Sequence, residues 1–226
     1  MGGTPPDACH DILEGCLPLT IKKFLKHILY DFPEKDRKST LDWVNKAIRD
    51  FDFDYVEKAD RPSALKKDYI LSEDTTLHQS ACQTWLLATI LPMIVGPYID
   101  LDDKYYINLL ECLEICRIVF SFEVTEHMIL YLSDLIESYL SGFKSLYGHL
   151  IQKQHHLIHY PSVILDMGSL MNYQCQRCEA KHRLFKKLVN VIGCYKNIPY
   201  SLAMRHQFIQ GSAWAKGLKK PNKCGP

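Results

Sequence analysis

Apolar residues recur at three- and four-residue intervals along most of the chain, which is the spacing of one face of an α-helix. The sequence TPPD at residues 4–7 predicts a helix start, because threonine caps helices and proline is tolerated in the first turn. The apolar positions that follow predict helix with a break near Pro18. A second start signal is Ser39, which stands three residues before Asp42. The apolar face of the helix that it predicts consists of Leu41, Val44 and Ile48.

The most apolar segment of the chain extends from Thr76 to Val95 and predicts a central helix. We expect this helix to end or kink around Pro92, because proline removes a backbone donor. Trp85 lies within the segment and is expected in the core. The preceding residues 50–74 are aromatic, charged and interrupted by proline, which predicts an irregular connection.

Residues 105–121 and 125–148 predict a pair of antiparallel helices joined by a short turn. Thr125 is the expected cap of the second helix, and Gly148 is its expected stop. Together with the earlier segments, this pair predicts an all-helical body over residues 11–150.

Composition limits the classes of protein that the chain can belong to. A length of 226 residues and a hydrophobic content of 47% suffice for one sizeable core. The formal net charge of +1 argues against bulk attraction to polyanions, so any nucleic-acid contact needs a local basic patch. The nine cysteines follow no signal peptide and are odd in number, which predicts reduced, buried thiols of an intracellular protein. No apolar run approaches the roughly 18 residues of a membrane span, so we expect a soluble protein without a membrane partner.

Histidine and cysteine pairs after residue 150 raise the alternative of a small zinc-binding protein. His155 and His159 lie four residues apart, so a helix would place both imidazoles on one face. Cys175, Cys178 and His182 have spacing that can share one tetrahedral zinc ion with His159 or His155. The opposing interpretation is that the cysteines are small buried residues on the apolar face of a continuous helix.

That helix also carries a concentration of positive charge. Cys178, Phe185, Leu188 and Ile192 share one predicted face, and Glu179, His182, Arg183, Lys186 and Asn190 share the other. The candidate phosphate-binding residues are Arg177, Lys181, Arg183, Lys186 and Lys187, which stand against a single glutamate. A solvated face with pairing of Glu179 to Arg183 remains the alternative.

Several separated blocks of the sequence resemble the C-terminal part of CACTA (En/Spm-type) DNA transposases and transposon-derived proteins. The blocks are PPDACHDILEG at 5–15, QSACQTWLLATILPMIVG at 79–96, HHLIHYP at 155–161, and RCEAKHRLFKKL at 177–188 followed by NIPYSLAMRHQ at 197–207. They stand in the order of the family, and the resemblance covers nearly the whole chain.

The resemblance implies an RNase H-like core in which two aspartates and a glutamate hold Mg²⁺ for cutting and joining DNA. Asp7 and His10 match an accessory Asp-x-x-His element of the family. Residues 11–150 match its helical insertion, and Glu179 matches the catalytic glutamate. The lysines and arginines beside Glu179 would then contact DNA phosphates.

The chain departs from the family at two points. The two catalytic aspartates would stand before Asp7, and only six residues precede it. Cys178 stands where the family usually has an aromatic residue before the glutamate, and no tryptophan stands a few residues earlier, where Gln174 and Cys175 lie. We therefore expect a truncated transposase remnant that is catalytically inactive alone and holds no cofactor, and in which Glu179 is vestigial.

The expected fold class is mainly α: a helical insertion followed by a remnant of an RNase H-like α/β core that lacks most of its sheet. The expected segments are the end of the core at 1–10, the insertion at 11–150, the Glu-bearing core segment at 151–215 and a basic tail at 216–226. Helices that lack their sheet would expose apolar surface, so we expect association with another chain or with itself. DNA is the other expected partner, the nucleus the expected location, and a helical nucleic-acid-binding or protein-interaction module the alternative function.

Overall fold

The computed structural model describes residues 6–31, 41–55, 57–175, 183, 185–191 and 196–215. Every regular element among these residues is a helix, which confirms the mainly α class. The chain divides into two compact units, Met1–Tyr173 and Gln174–Pro226, which we call the first unit and the second unit.

The first unit begins with one continuous helix that changes its winding twice. It is π-helical over Cys9–Cys16, α-helical over Leu17–Lys26 (α1) and π-helical again over His27–Asp31. The break expected near Pro18 is wrong. Because α-helical winding starts at Leu17, Pro18 takes a first-turn position, where its missing N–H costs little.

Helix α2 spans Leu41–Asp50 and buries Val44 and Ile48, as its apolar spacing predicts. The expected caps Thr4 and Ser39 lie outside the described residues. The connection after α2 is mostly irregular, as predicted, with a 3₁₀ turn at Glu57–Asp60 and the short helix α3 at Lys67–Leu71.

A buried lysine fixes the end of this connection onto α1. The side chain of Lys22 is only 3% exposed, and its Nζ donates to Ser72 Oγ at 2.7 Å and Asp74 Oδ1 at 2.8 Å. It also donates to the Asp74 carbonyl at 2.7 Å. These contacts hold the pKa of Asp74 well below its usual range, so its carboxylate stays charged at neutral pH.

Helix α4 spans Ala81–Val95 and continues into a 3₁₀ turn at Gly96–Tyr98. It begins later than Thr76 because Ser80 and Gln83 form a capping box, in which each side chain bonds the backbone N–H of the other residue. It passes through Pro92 to end at Val95.

The expectation that Trp85 lies in the core is wrong. Its side chain is 37% exposed, and its ring meets Phe120 edge to face at 5.5 Å. Trp85 shares an outer stripe with Thr89 and Met93, at four-residue spacing.

The stretch Ala81–Tyr98 has the length and the mean hydropathy, 1.2, of a membrane span. The expectation that no apolar run approaches the length of a membrane span is therefore wrong for this stretch. Length and composition alone do not separate a membrane span from the core helix of a soluble protein. In this chain Leu87 and Leu91 of α4 are fully buried in the core of the first unit.

Helices α5 (Lys104–Val119) and α6 (Glu126–Tyr147) form the predicted antiparallel pair. Thr125 caps α6 by accepting a hydrogen bond from the Met128 N–H at 3.3 Å. Gly148 ends it with a φ of 94°, which favours glycine.

A buried tyrosine connects this pair to the first and last parts of the unit. Tyr139 of α6 is fully buried, and its hydroxyl lies 2.8 Å from Thr20 Oγ1 and accepts from Gln154 Nε2 at 2.9 Å. Since Thr20 donates its own proton to the Cys16 carbonyl, the Tyr139 hydroxyl donates to Thr20.

The first unit continues beyond residue 150 in helix α7 (Gln152–His156), a 3₁₀ turn (Leu157–His159) and helix α8 (Tyr160–Met167). Another 3₁₀ turn follows at Leu170–Tyr173. Leu157, Tyr160, Ile164 and Leu170 join the same core as Ala8 and Cys9. The segment limits expected at residues 10 and 150 therefore fall inside one compact unit.

The second unit contains a helix over residues 185–191 (α9) and helix α10 at Ile198–Ala215. None of the residues of α10 is buried. The expected basic tail at 216–226 lies outside the described residues.

The described cysteines are free thiols, but they are not uniformly buried. Cys9, Cys16, Cys112 and Cys116 are buried, whereas Cys82 is exposed and Cys175 is half-buried. Burial raises the pKa of Cys16 and of Cys116, so both remain protonated and unreactive.

Candidate functional site

Asp7 and His10, the residues of the Asp-x-x-His element, contact each other at the start of the first helix. The imidazole Nδ1 of His10 bonds to Asp7 Oδ2, and Asp7 Oδ1 accepts from the Cys9 N–H at 3.2 Å. On the other side of the ring, His10 Nε2 lies 3.7 Å from Glu14 Oε2. The His10 side chain is 45% exposed, so solvent reaches this row of acidic and imidazole groups.

Asp11 lies on the same helix and joins it to α7 and α8. Its carboxylate accepts a hydrogen bond from the Tyr160 hydroxyl at 3.1 Å and bonds to His156 Nδ1 at 3.0 Å. Asp11 is 7% exposed and Tyr160 is fully buried. Burial, together with the neighbouring Asp11 charge, raises the pKa of Tyr160, so its hydroxyl keeps its proton and donates it.

Lys153 of α7 places a positive charge beside the first helix. Its Nζ donates to the carbonyl oxygens of His10 at 2.8 Å and of Glu14 at 3.1 Å. The lysine stem passes directly over Gly15, where any Cβ would collide with it. Gly15 therefore leaves the space through which α7 approaches the first helix.

The sequence motifs did not single out Asp11, His156, Tyr160 or Lys153 as site residues. A signal for three of them was present, because Asp11 follows Asp7 by four residues and Tyr160 follows His156 by four. Each pair therefore lies on one helical face. Spacing alone could not indicate that the two faces meet.

In the cluster formed by Asp7, His10, Asp11 and His156, each carboxylate is paired with an imidazole. In an Asp–His pair the carboxylate accepts a hydrogen bond from Nδ1–H and leaves Nε2 to bind a proton, a ligand or a phosphate oxygen. The His156 side chain is 39% exposed, so solvent reaches it. A two-metal site instead needs carboxylates that converge on the ions. Here Asp7 and Asp11 each hydrogen-bond to a histidine, and neither of them matches the two aspartates and the glutamate that would hold Mg²⁺ in the family.

The predicted basic helix lies partly outside the described residues, which is the case for Arg177, Cys178, Glu179, Lys181 and His182. The described part, α9, is amphipathic as predicted. Phe185 and Leu188 are half-buried, and the Phe185 ring lies 5.5 Å from that of His206. The outward cations are Arg183, Lys186 and Lys187, which are exposed and have no hydrogen bond or ion pair with another described residue.

The proposed zinc ligands have a mixed status. His155 and His159 are exposed, and their rings lie edge to face with centroids 5.4 Å apart. Cys175 is half-buried in the second unit. Since Cys178 and His182 lie outside the described residues, the zinc site stays a prediction.

The contacts of Asp11 bring together two of the blocks that carry the family resemblance, residues 5–15 and 155–161, and Lys153 of α7 adds a contact to the first of them. Among known proteins, no protein family, curated protein or solved structure matches this chain.

Proposed function

We propose that this chain is the DNA-binding part of a transposon-derived protein and does not cut or join DNA by itself. The observation that carries the proposal is the Asp11 contact with His156, two residues that lie 145 positions apart. One belongs to the block at 5–15 and the other to the block at 155–161. Blocks retained from one transposase core are expected to pack together, and these two do so through a buried carboxylate.

The cations of the second unit supply the surface for DNA in this proposal. Arg183, Lys186 and Lys187 are exposed without a paired carboxylate among the described residues, in a protein whose net charge is only +1. Their attraction to phosphates is therefore local, and it is not reduced by internal ion pairs.

Catalysis is not part of the proposal for this chain alone. Of the metal-binding triad in the family, residues 1–226 match only the glutamate, at Glu179. Two-metal phosphodiester chemistry needs further carboxylates, so Mg²⁺ would bind productively only where two aspartates were supplied. In this proposal the second unit descends from an RNase H-like core, and the protein acts in the nucleus.

The test is DNA affinity in fluorescence anisotropy, with a labelled duplex and a series of salt concentrations. The double substitution Lys186→Ala and Lys187→Ala is expected to weaken binding at least roughly tenfold and to reduce the log–log salt slope by about 2, because two phosphate contacts are lost. The matched control is Lys58→Ala with Lys104→Ala, which removes the same charge from exposed positions of the first unit. Equal loss in both proteins, or loss in neither, would contradict the assignment of α9 as the DNA surface.

A second candidate function, protein interaction, is favoured by α10. This helix buries none of its residues and exposes Tyr200, Phe208, Ile209 and Trp214. These four large side chains are spread around the helix, and together they offer apolar surface to a partner. We propose a second copy of the chain as its partner, since a net charge of +1 gives little repulsion between copies.

Light scattering after size-exclusion chromatography, at several concentrations, tests the association. We expect the unaltered chain to have a mass above that of the monomer, and Phe208→Ser with Ile209→Ser to lower it to the monomer mass. Leu101→Ser with Phe122→Ser is the control, because these residues are 80% and 74% exposed on the first unit. A monodisperse monomer of the unaltered chain at all concentrations would eliminate self-association.

A further inference from the structure

A small cavity in the first unit is lined by three lysines of α1. It has a volume of about 50 Å³, and its wall includes Lys22, Lys23, Lys26, His149 and Tyr147. Residues 72–75 also line it. One water molecule needs about 10–15 Å³, so the cavity has room for a small solute.

The three lysines differ in their electrostatic role. Lys22 is buried and already donates to Ser72 and Asp74, so it fixes the loop wall and its charge is compensated. Lys23 and Lys26 are half-buried and have no hydrogen bond or ion pair with another residue in the described part of the chain. These two are the uncompensated cations of the cavity.

The rest of the lining adds hydrogen-bond donors, one opposing charge and the apolar side chains of Leu19, Ile70, Phe143 and Ile151. His149 and Thr75 are exposed at the wall and can donate hydrogen bonds. The Tyr147 hydroxyl is buried and, among the described residues, has no hydrogen-bond partner. Burial and the nearby Tyr105 and Asp103 raise the pKa of Tyr147, so the hydroxyl stays protonated. Beside the Lys22–Asp74 pair, the lining contains one carboxylate, Glu73, which is exposed.

We infer that this cavity binds a phosphate group through Lys23 and Lys26, at a site separate from the basic helix α9. Two lysines against one glutamate leave a net positive lining, and a small oxyanion suits a cavity of this size. Lysine ammonium groups are established ligands of phosphate, and imidazole and hydroxyl groups complete its hydrogen bonds. The inference needs no DNA binding by α9 and can be tested without it.

Thermal unfolding with inorganic phosphate, against chloride of equal ionic strength, is the first test. We expect 20 mM phosphate to raise the Tm by about 4 °C, as for a site with a Kd near 1 mM. Lys23→Met with Lys26→Met should abolish the increase, while Lys58→Met should retain it. No increase over chloride, or an equal increase in the double variant, would overturn the inference.

A gain-of-affinity variant keeps the test decisive if the double variant does not fold. Glu73→Gln removes the one uncompensated carboxylate of the lining and should lower the phosphate concentration for half the Tm shift by roughly threefold. An unchanged or higher concentration would count against the site. A 5′-phosphorylated tetranucleotide is the second probe. If it raises the Tm at a lower concentration than inorganic phosphate does, the ligand is a nucleic-acid end. If it needs an equal or higher concentration, the ligand is free phosphate.

Discussion

Replacing Tyr139 by alanine is expected to lower the free energy of unfolding of the first unit by about 3–5 kcal/mol. Tyr139 is fully buried, and its ring packs against Phe143 with centroids 5.9 Å apart. Alanine would leave a cavity that rigid helices on several sides cannot fill. It would also remove the partner of Thr20 and of Gln154, whose polar groups would remain buried.

Two further variants separate these causes in urea unfolding followed by far-UV circular dichroism. Tyr139→Phe keeps the ring and removes only the hydroxyl, so it should lower the free energy of unfolding by about 1–3 kcal/mol. Tyr131→Ala is the matched control, a tyrosine of the same helix that is 50% exposed, and should cost less than about 1 kcal/mol. Similar losses for Tyr131→Ala and Tyr139→Ala would show that Tyr139 does not anchor the core.

Replacing Asp11 by alanine is expected to lower the free energy of unfolding by about 2–4 kcal/mol. The change leaves the hydroxyl of the buried Tyr160 without an acceptor and removes the bond to His156 Nδ1. Glu14→Ala is the control on the same helix, because Glu14 is exposed and lies 3.7 Å from His10. Its cost should stay within about 0.5 kcal/mol.

A double-mutant cycle with Tyr160→Phe tests the reason for the Asp11 effect. In the Asp11→Ala background, Tyr160→Phe removes the orphaned hydroxyl and should restore about 1 kcal/mol. In the unaltered chain the same substitution should be destabilising, because it removes a hydrogen bond. Additive losses in the cycle would mean that Asp11 stabilises the unit by some route other than Tyr160.

The elements that the sequence predicts well are those whose limits are set locally. Helix α6 has its expected limits because Thr125 bonds to a backbone N–H three residues away and Gly148 adopts a positive φ. Val44 and Ile48 are buried because a four-residue interval places them on one helical face. None of these outcomes depends on a distant part of the chain.

Where the sequence misleads, a competing local signal or a tertiary contact decides. The Ser80–Gln83 capping box sets the start of α4, although the apolar run begins earlier. Pro18 does not break its helix, because the winding changes just before it. Trp85 is hydrophobic enough for the core, but its position on the outer stripe of α4 keeps it exposed.

The candidate site shows the same division. The Asp7–His10 contact was predictable because the two residues are three positions apart, and the resemblance already pairs them. The partners of Asp11 come from α7 and α8. Neither the periodicity of the chain nor its motif spacing indicates that these helices lie against the first helix. The exposure of Lys186 and Lys187 followed from the amphipathic pattern of α9, since Phe185 and Leu188 mark its inner face.

The bond between Asp11 and Tyr160 also has a consequence for how the chain is made. The two residues are 149 positions apart, so a ribosome must add that many residues after Asp11 before this bond can form. Closure of so long a loop is entropically costly and slow. Until then the helical turns at Cys9–Cys16, which pack on α7, lack part of their final covering.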